Sequence, residues 1–185
     1  MLPTADDPVV SVVMPVYRNL GYTLECLSSI AAHPPRASFE LILIDDASGE
    51  SDVAPLRAVR GIRLIENAQN LGFLRSCNRA AAAARGRYLL FLNNDTQVRE
   101  GWLDALLEPF ADPGVGMTGS KLLYPSGHLQ EAGVCMSADG TARLVGLNGN
   151  PRAIQYNLPR EVDYCSGASV MLERAVFEQL GGFDA

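Results

Sequence analysis

Four short apolar runs alternate with amphipathic stretches along the first 114 residues. Residues 9–16, 39–44, 62–65 and 88–92 are hydrophobic enough to predict strands buried on both faces of a parallel sheet. Between the first two runs, Leu24, Leu27, Ile30 and Ala31 fall at helical spacing, and His33-Pro34-Pro35 ends that helix. Ser51 or Asp52 is placed to cap a short helix carrying Val53, Leu56 and Val59. The alanine-rich segment 73–84 predicts another, stopped by Gly86. A further helix runs through Trp102, Leu103, Leu106, Leu107 and Phe110, opened by Glu100 or Gly101. Strands alternating with helices in this way predict right-handed crossovers and a parallel sheet.

Beyond Val115 the texture changes to short apolar segments, glycines and polar turns. Residues 117–124, 134–137, 142–145 and 168–172 are candidate strands, and 174–180 a final helix followed by Gly181-Gly182. The expected organisation is a loose leader at 1–8, an α/β half at 9–114, and a smaller mixed or antiparallel half of the same domain at 115–185.

Polar residues close the apolar runs. Tyr17-Arg18-Asn19 follows the first, Asp45-Asp46 the second and Asn93-Asn94-Asp95 the fourth. The topology gathers these three ends on one sheet edge, the carboxyl edge at which open α/β sheets bind ligands. Asn93-Asn94-Asp95 by itself suits either a polar turn or a hard cation held by oxygen ligands.

Composition narrows the choice. A chain of 185 residues, 48% hydrophobic and 19% charged, suits one globular domain. A net charge of −6 argues against a nucleic-acid partner, though a bound divalent cation can still invert the local field for an anionic substrate. No apolar run approaches membrane-spanning length and no export signal opens the chain, so Cys26, Cys77, Cys135 and Cys165 are expected as free thiols in a cytoplasmic protein. Peripheral attachment of a longer protein to the inner membrane face is compatible with this.

Several motifs fall away. Gly114-Val-Gly-Met-Thr-Gly119 matches GxGxxG, but it follows a helix and opens a strand, the reverse of a dinucleotide fingerprint. His128 with Glu131 has no further ligand at metal spacing and is expected as a surface pair. Asn94-Asp-Thr96 is a glycosylation sequon without a secretory context. Neither a GxxxxGK(S/T) loop nor a GxSxG elbow is present. What survives is Pro15-Val16-Tyr17, Asp45-Asp46, Asn70-Leu-Gly72 and Asn94-Asp95. A tyrosine to stack on a base, an aspartate to accept from its imide N–H and a second aspartate to hold a cation outline a nucleotide-diphosphate site without a P-loop.

These pieces resemble the family 2 glycosyltransferases of the GT-A fold. The likeness rests on Val12-Val-Met-Pro-Val-Tyr17, Leu43-Ile-Asp-Asp-Ala-Ser48, Asn70-Leu-Gly-Phe73 with Asn78, and Gly86-Arg-Tyr-Leu-Leu-Phe-Leu-Asn-Asn-Asp95. It continues through Gly167-Ala-Ser-Val-Met-Leu172 and Gly181-Gly-Phe-Asp184, and the ordered set is specific where each piece alone is weak. The Asn-Asn-Asp form resembles the branch with rhamnosyltransferase-like enzymes of bacterial surface polysaccharide synthesis.

The resemblance implies a Rossmann-like, mostly parallel sheet flanked by helices. Pro15, Val16 and Tyr17 would line the base pocket and Asp46 would pair with the base, with Asp45 supporting the same loop. Asn70 and Gly72 would belong to the nucleotide site. Asp95 would bind Mg²⁺ or Mn²⁺, with Asn94 against the ribose or sugar and Asn93 where many relatives carry an acid. Gly167, Ala168 and Asp184 would face the acceptor.

The implied reaction is inverting transfer of a sugar from a dTDP-, UDP- or GDP-linked donor to a hydroxyl of a saccharide or lipid-linked acceptor. In the family the catalytic base lies in a Glu-Asp pair shortly after Gly-Gly-Phe-Asp. Here Gly181-Gly-Phe-Asp184 is followed by Ala185, the last residue, and no such pair. The expectation is a fragment whose base lies beyond Ala185, so that these residues bind nucleotide and transfer sugar poorly or not at all. The alternative is that Glu161 or Asp163 takes the role. A non-catalytic nucleotide- or sugar-binding module and a nucleotidyltransferase are the competing classes.

Overall fold

The four apolar runs become strands because each can hide both of its faces. In the computed structural model, which describes Leu2 and residues 5–185, β1 (Val10–Val16), β2 (Phe39–Asp45), β3 (Arg63–Glu66) and β4 (Tyr88–Leu92) run parallel. They are joined by α1 (Leu20–Ala32), α2 (Glu50–Arg57) and α3 (Phe73–Ala81). α4 (Trp102–Leu107) runs on into a 3-10 turn, Glu108–Ala111. The later part of the chain adds β5 (Met117–Gly119), β6 (Leu122–Leu123), β7 (Leu129–Glu131), β8 (Val134–Met136), β9 (Ala142–Leu144), β10 (Ser169–Glu173) and α5 (Arg174–Gln179).

The main sheet has the order β3-β2-β1-β4-β10-β5, with β10 antiparallel to both its neighbours. Val12, Met14, Leu41, Leu43 and Leu90 pack on one face beneath Leu27 and Ile30 of α1, Leu56 of α2 and Leu103 of α4. Val13, Ile42, Ile44, Leu89 and Phe91 pack on the other, beneath Cys77 and Ala80 of α3 and Phe177 of α5. Covering both faces explains why these strands lack the polar alternation of a half-exposed sheet. Because β1 lies between β2 and β4, the strand order reverses beside it, and the crevice at that reversal opens at the carboxyl ends of β1 and β4.

The structure departs from expectation in instructive places. α2 begins at Glu50 behind Gly49 without a side-chain cap, so Ser51 and Asp52 lie inside its first turn instead of capping it. α3 ends at Ala81, short of residue 84, because the Arg85 N–H is drawn to Glu40 Oε1 at 2.7 Å and away from a helical partner. The single strand expected over 117–124 splits into β5 and β6, which belong to different sheets. Ser120 marks the break, its hydroxyl 2.7 Å from that of Ser169. β7 has no counterpart in the sequence reading. β10 enters the main sheet, so the 9–114 and 115–185 parts share it.

Of the expected leader, Met1, Pro3 and Thr4 lie outside the described residues. Leu2 is buried and donates its N–H to Arg60 O at 3.2 Å, and Ala5 N–H reaches Phe39 O at 2.9 Å. The four cysteines are free thiols. Among the described residues no helix is long and apolar enough to cross a membrane.

Candidate functional site

Local backbone geometry turns the ends of β1 and β2 into a receptor edge. Arg18 and Asn19 after β1, and Ala47 after β2, adopt left-handed φ of 57°, 53° and 62°. Non-glycine residues rarely hold this conformation unless their surroundings impose it, and such strain clusters at functional sites. The two loops are tied together by the Arg18 N–H, which donates to Ser48 Oγ at 2.6 Å, and by the Asp46 N–H, which donates to Val16 O at 2.8 Å. Tyr17 is left 45% exposed, with the Arg18 guanidinium 5.0 Å from its ring centroid. Pro15 is half-buried beside it, whereas the Val16 side chain belongs to the core, so only its backbone reaches the edge.

The adjacent aspartates at the end of β2, Asp45 and Asp46, have opposite environments. Asp46 is buried and fully engaged: Oδ1 accepts from Asn67 Nδ2 at 2.7 Å and from the Leu71 N–H at 2.8 Å, while Oδ2 accepts from the Gly72 N–H at 2.9 Å. Burial pushes its carboxyl up, but these hydrogen bonds, with that of Ser76, outweigh burial and hold it below the usual aspartate range. Gly72 is needed there because its φ of 81° turns the N–H toward Asp46. Asn70 Nδ2 completes the arrangement on Asp46 O at 3.3 Å. Asp45 is equally buried, yet only its Oδ2 is engaged, by the Ser48 N–H at 3.2 Å, and Oδ1 has no partner.

After β4, Asn93 starts the polar turn, with its N–H on Ala168 O at 2.9 Å. Asn94 Nδ2 donates to Thr23 Oγ1 of α1 at 2.9 Å, which bridges the crevice between the first helix and the end of β4. Asp95 is exposed, and among the described residues its carboxylate makes no hydrogen bond or ion pair. No three His, Cys, Asp or Glu side chains converge as a metal cluster among those residues. Asp95 thus offers one free carboxylate, the kind of oxygen donor with which a hard divalent cation can be held if substrate phosphate oxygens and water complete its shell.

Gly167 is exposed in the loop entering β10, Ala168 is bonded to Asn93, and Asp184 and Ala185 are exposed after Phe183. Asn78 of α3 grips Phe183 from both sides, its Nδ2 donating to Phe183 O and its Oδ1 accepting from the Phe183 N–H, each at 2.8 Å. The Phe183 ring then packs 4.7 Å from Phe91. Asp184 is the last acidic side chain of the sequence. Of the two carboxylates considered as substitute bases, Asp163 is bonded to the Met136 N–H at 2.9 Å and Glu161 is exposed. The surface pair expected of His128 and Glu131 does not form: Glu131 is buried, and His128 lies against Ser126.

The sequence reading passed over Asn67, Thr23 and Ser48. Asn67 opens the loop after β3, from which the sequence reading took only Asn70 and Gly72. Thr23 and Ser48 look like ordinary helix and turn residues until the fold brings them to the edge.

A mostly parallel sheet with helices on both faces and polar strand ends gathered at its carboxyl edge is the framework of a GT-A domain. Residues 11–181 match the family described as Glycosyl transferase family 2, and the chain belongs to it. It is 33% identical to the O-antigen biosynthesis protein RfbC of Myxococcus xanthus, an alignment covering 98% of this chain and 15% of that protein. An uncharacterised protein, y4gI, of Sinorhizobium fredii is 28% identical over 98% of this chain and 21% of its own length. The chain thus spans about a fifth or less of these two relatives.

Among solved structures, the mannosyltransferase PcManGT from Pyrobaculum calidifontis, in complex with GDP-Man and Mn²⁺, shares the fold. Its TM-score is 0.67 at 22% identity, over 100% of this chain and 51% of that one. TarS 1–349 of S. aureus gives a TM-score of 0.62 at 19% identity, covering 95% and 50%.

Proposed function

We propose that this domain binds the donor of an inverting glycosyltransferase, a nucleotide diphosphate sugar, for transfer to an acceptor hydroxyl in polysaccharide or glycoconjugate synthesis. The observation that carries the reading is the pair of carboxylates left without partners at the carboxyl edge: Asp45 Oδ1, buried, and Asp95, exposed. Buried polar atoms are nearly always hydrogen-bonded, so an acceptor without a partner beside this edge supports a ligand or water contact there.

Within this reading Tyr17 stacks on the base and Pro15 borders it. Base recognition passes from Asp46 to Asp45, because Asp46 has both oxygens occupied by its own loop while Asp45 keeps one free. Asp46, Asn70 and Gly72 shape the pocket wall instead of touching the base. Asn94, oriented by Thr23, faces the ribose or sugar. Asp95 holds the divalent cation, which when bound neutralises charge on the departing diphosphate. Ala168, bonded to Asn93, and its neighbour Gly167 are small and leave room for the acceptor, and Asp184 is a further acceptor-side residue in this reading. The 33% identity to an O-antigen biosynthesis protein supports a surface-polysaccharide role, and the Asn-Asn-Asp form supports a deoxyhexosyl donor such as a dTDP-linked one.

Calorimetry with UDP, dTDP and GDP, with and without Mn²⁺, tests the site. One diphosphate is expected to bind in a metal-dependent manner, and Asp95→Ala is expected to weaken it on the order of a hundredfold, the loss of a charged ligand bond. Binding that ignores both Mn²⁺ and Asp95, or no binding at all, would overturn the proposal.

A further inference from the structure

One face of α1 carries a polar side chain at every third position. Thr23 and Cys26 are buried and Ser29 half-buried, and a spacing of three sets them on successive turns of that face. A buried polar group is costly unless it finds a partner, and these find theirs on a single stretch, residues 93–98 after β4. Thr23 Oγ1 accepts from Asn94 Nδ2 at 2.9 Å, and Ser29 Oγ accepts from the Val98 N–H at 3.0 Å. Between them Cys26 Sγ lies 3.9 Å from Asn93 O and 3.7 Å from Thr96 Oγ1. Thr96 Oγ1 also donates to Asn93 O at 2.8 Å, which closes the turn on itself. At the rim, Gln97 Nε2 donates to Glu25 Oε2 at 3.1 Å. Within 93–98, Asp95 alone makes no hydrogen bond to α1 among the described residues. Its neighbours are tied down on both sides and its carboxylate is left free.

The same helix grows out of the other half of the site. α1 starts at Leu20, directly after Tyr17-Arg18-Asn19, and Asn19 O accepts from the Tyr22 N–H at 3.1 Å and the Thr23 N–H at 3.4 Å. Thr23 is therefore bonded through its backbone to the turn that follows Tyr17 and through its side chain to the turn that carries Asp95. We propose that α1 is the spacer of the site, with Thr23 and Ser29 as positioning residues. They hold the Asn93–Asp95 turn at one setting from Tyr17, so that the base end and the diphosphate end of a single donor are received together. This rests on the nucleotide-sugar reading above and names the side chains that register its two halves.

The test measures how much Mn²⁺ raises affinity for the preferred nucleoside diphosphate, per folded molecule. It compares the unaltered chain with Thr23→Val, Thr23→Ser, Ser29→Ala and Glu40→Ala. Thr23→Val keeps the shape of the side chain but removes the acceptor for Asn94, and should cut the gain from Mn²⁺ about tenfold. Thr23→Ser keeps the hydroxyl and should stay within about threefold of the unaltered chain. Ser29→Ala frees the Val98 N–H and should cut the gain about fivefold. It leaves Thr23 in place, and decides the matter where Thr23→Val does not fold. Glu40→Ala, at the far end of β2, is the stability control: it should destabilise the fold yet keep the gain within about twofold. An unchanged gain in Ser29→Ala or in folded Thr23→Val would overturn the proposal. So would a Thr23→Ser no better than Thr23→Val, or an equal loss in Glu40→Ala. If the unaltered chain shows no gain with Mn²⁺, the parent reading falls before any substitution is compared.

Discussion

The two ends of the parallel sheet carry similar residues in opposite conditions. At the amino end, Glu40 is buried with every oxygen engaged: Oε1 accepts from Ser11 Oγ at 2.6 Å and the Arg85 N–H at 2.7 Å, and Oε2 lies 3.1 Å from Arg85 Nη2 and 3.5 Å from Arg63 Nη1. Burial pushes Glu40 up, yet the hydrogen bonds from Ser11 and Arg85, with the Arg85 charge, outweigh it and hold the carboxyl below the usual glutamate range. At the carboxyl end, among the described residues, Asp45 Oδ1 has no partner and the Asp95 carboxylate makes no hydrogen bond or ion pair. The first arrangement is closed and structural. The second is open, and its missing partners are what the proposed ligand would supply. Burial of an acid therefore says little about its role; the state of its second oxygen says more.

The largest effect that would sharpen this contrast is expected at the closed end. Glu40→Ala strands the Ser11 hydroxyl and the Arg85 N–H and should lower stability by about 3 kcal/mol in urea unfolding, with nucleotide affinity per folded molecule unchanged. Its pH dependence has a definite sign. A carboxylate held below its unfolded value stabilises the fold above that value, and the contribution fades as pH falls through the roughly 4.3 of a free glutamate. Glu40→Gln should flatten that acid limb.

Within the open end, Asp46→Ala should cost about 2 kcal/mol of stability by releasing the 67–72 loop. Asp45→Ala should leave stability within about 1 kcal/mol and weaken nucleotide about tenfold. If the two aspartates exchange these phenotypes, base recognition belongs to Asp46 after all. The smallest effect is expected at Asn78→Ala, about 1 kcal/mol by thermal unfolding, with proteolysis near Gly181-Gly182 speeding up as Phe183 loses its clamp.

Much of the architecture was legible along the chain. Two-sided burial leaves continuous apolar runs, and those runs located β1 to β4 and the polar residues at their ends. Pattern alone also singled out Tyr17, Asp45, Asp46 and Asp95 as a group, because strand-end position is a local property. Short strands were harder to see. β6 and β7 have two and three residues, and β5 is separated from β6 only by which sheet each joins. No periodicity survives at that length.

Which aspartate is free is not a local property. Asp45 and Asp46 are neighbours of the same type, and what separates them is the loop that brings Asn67, Leu71 and Gly72 onto one carboxylate and not the other. The same holds for Glu131, which looks like a surface acid next to His128 until the fold buries it. The sequence by itself determined the alternating strands and helices and the edge at which chemistry collects, since these follow from hydrophobic period and strand-end composition, and its ordered motifs carried the resemblance to the family. Only the tertiary structure decided which acids at that edge are already satisfied, because a hydrogen bond between distant residues exists only once the fold has placed its donor.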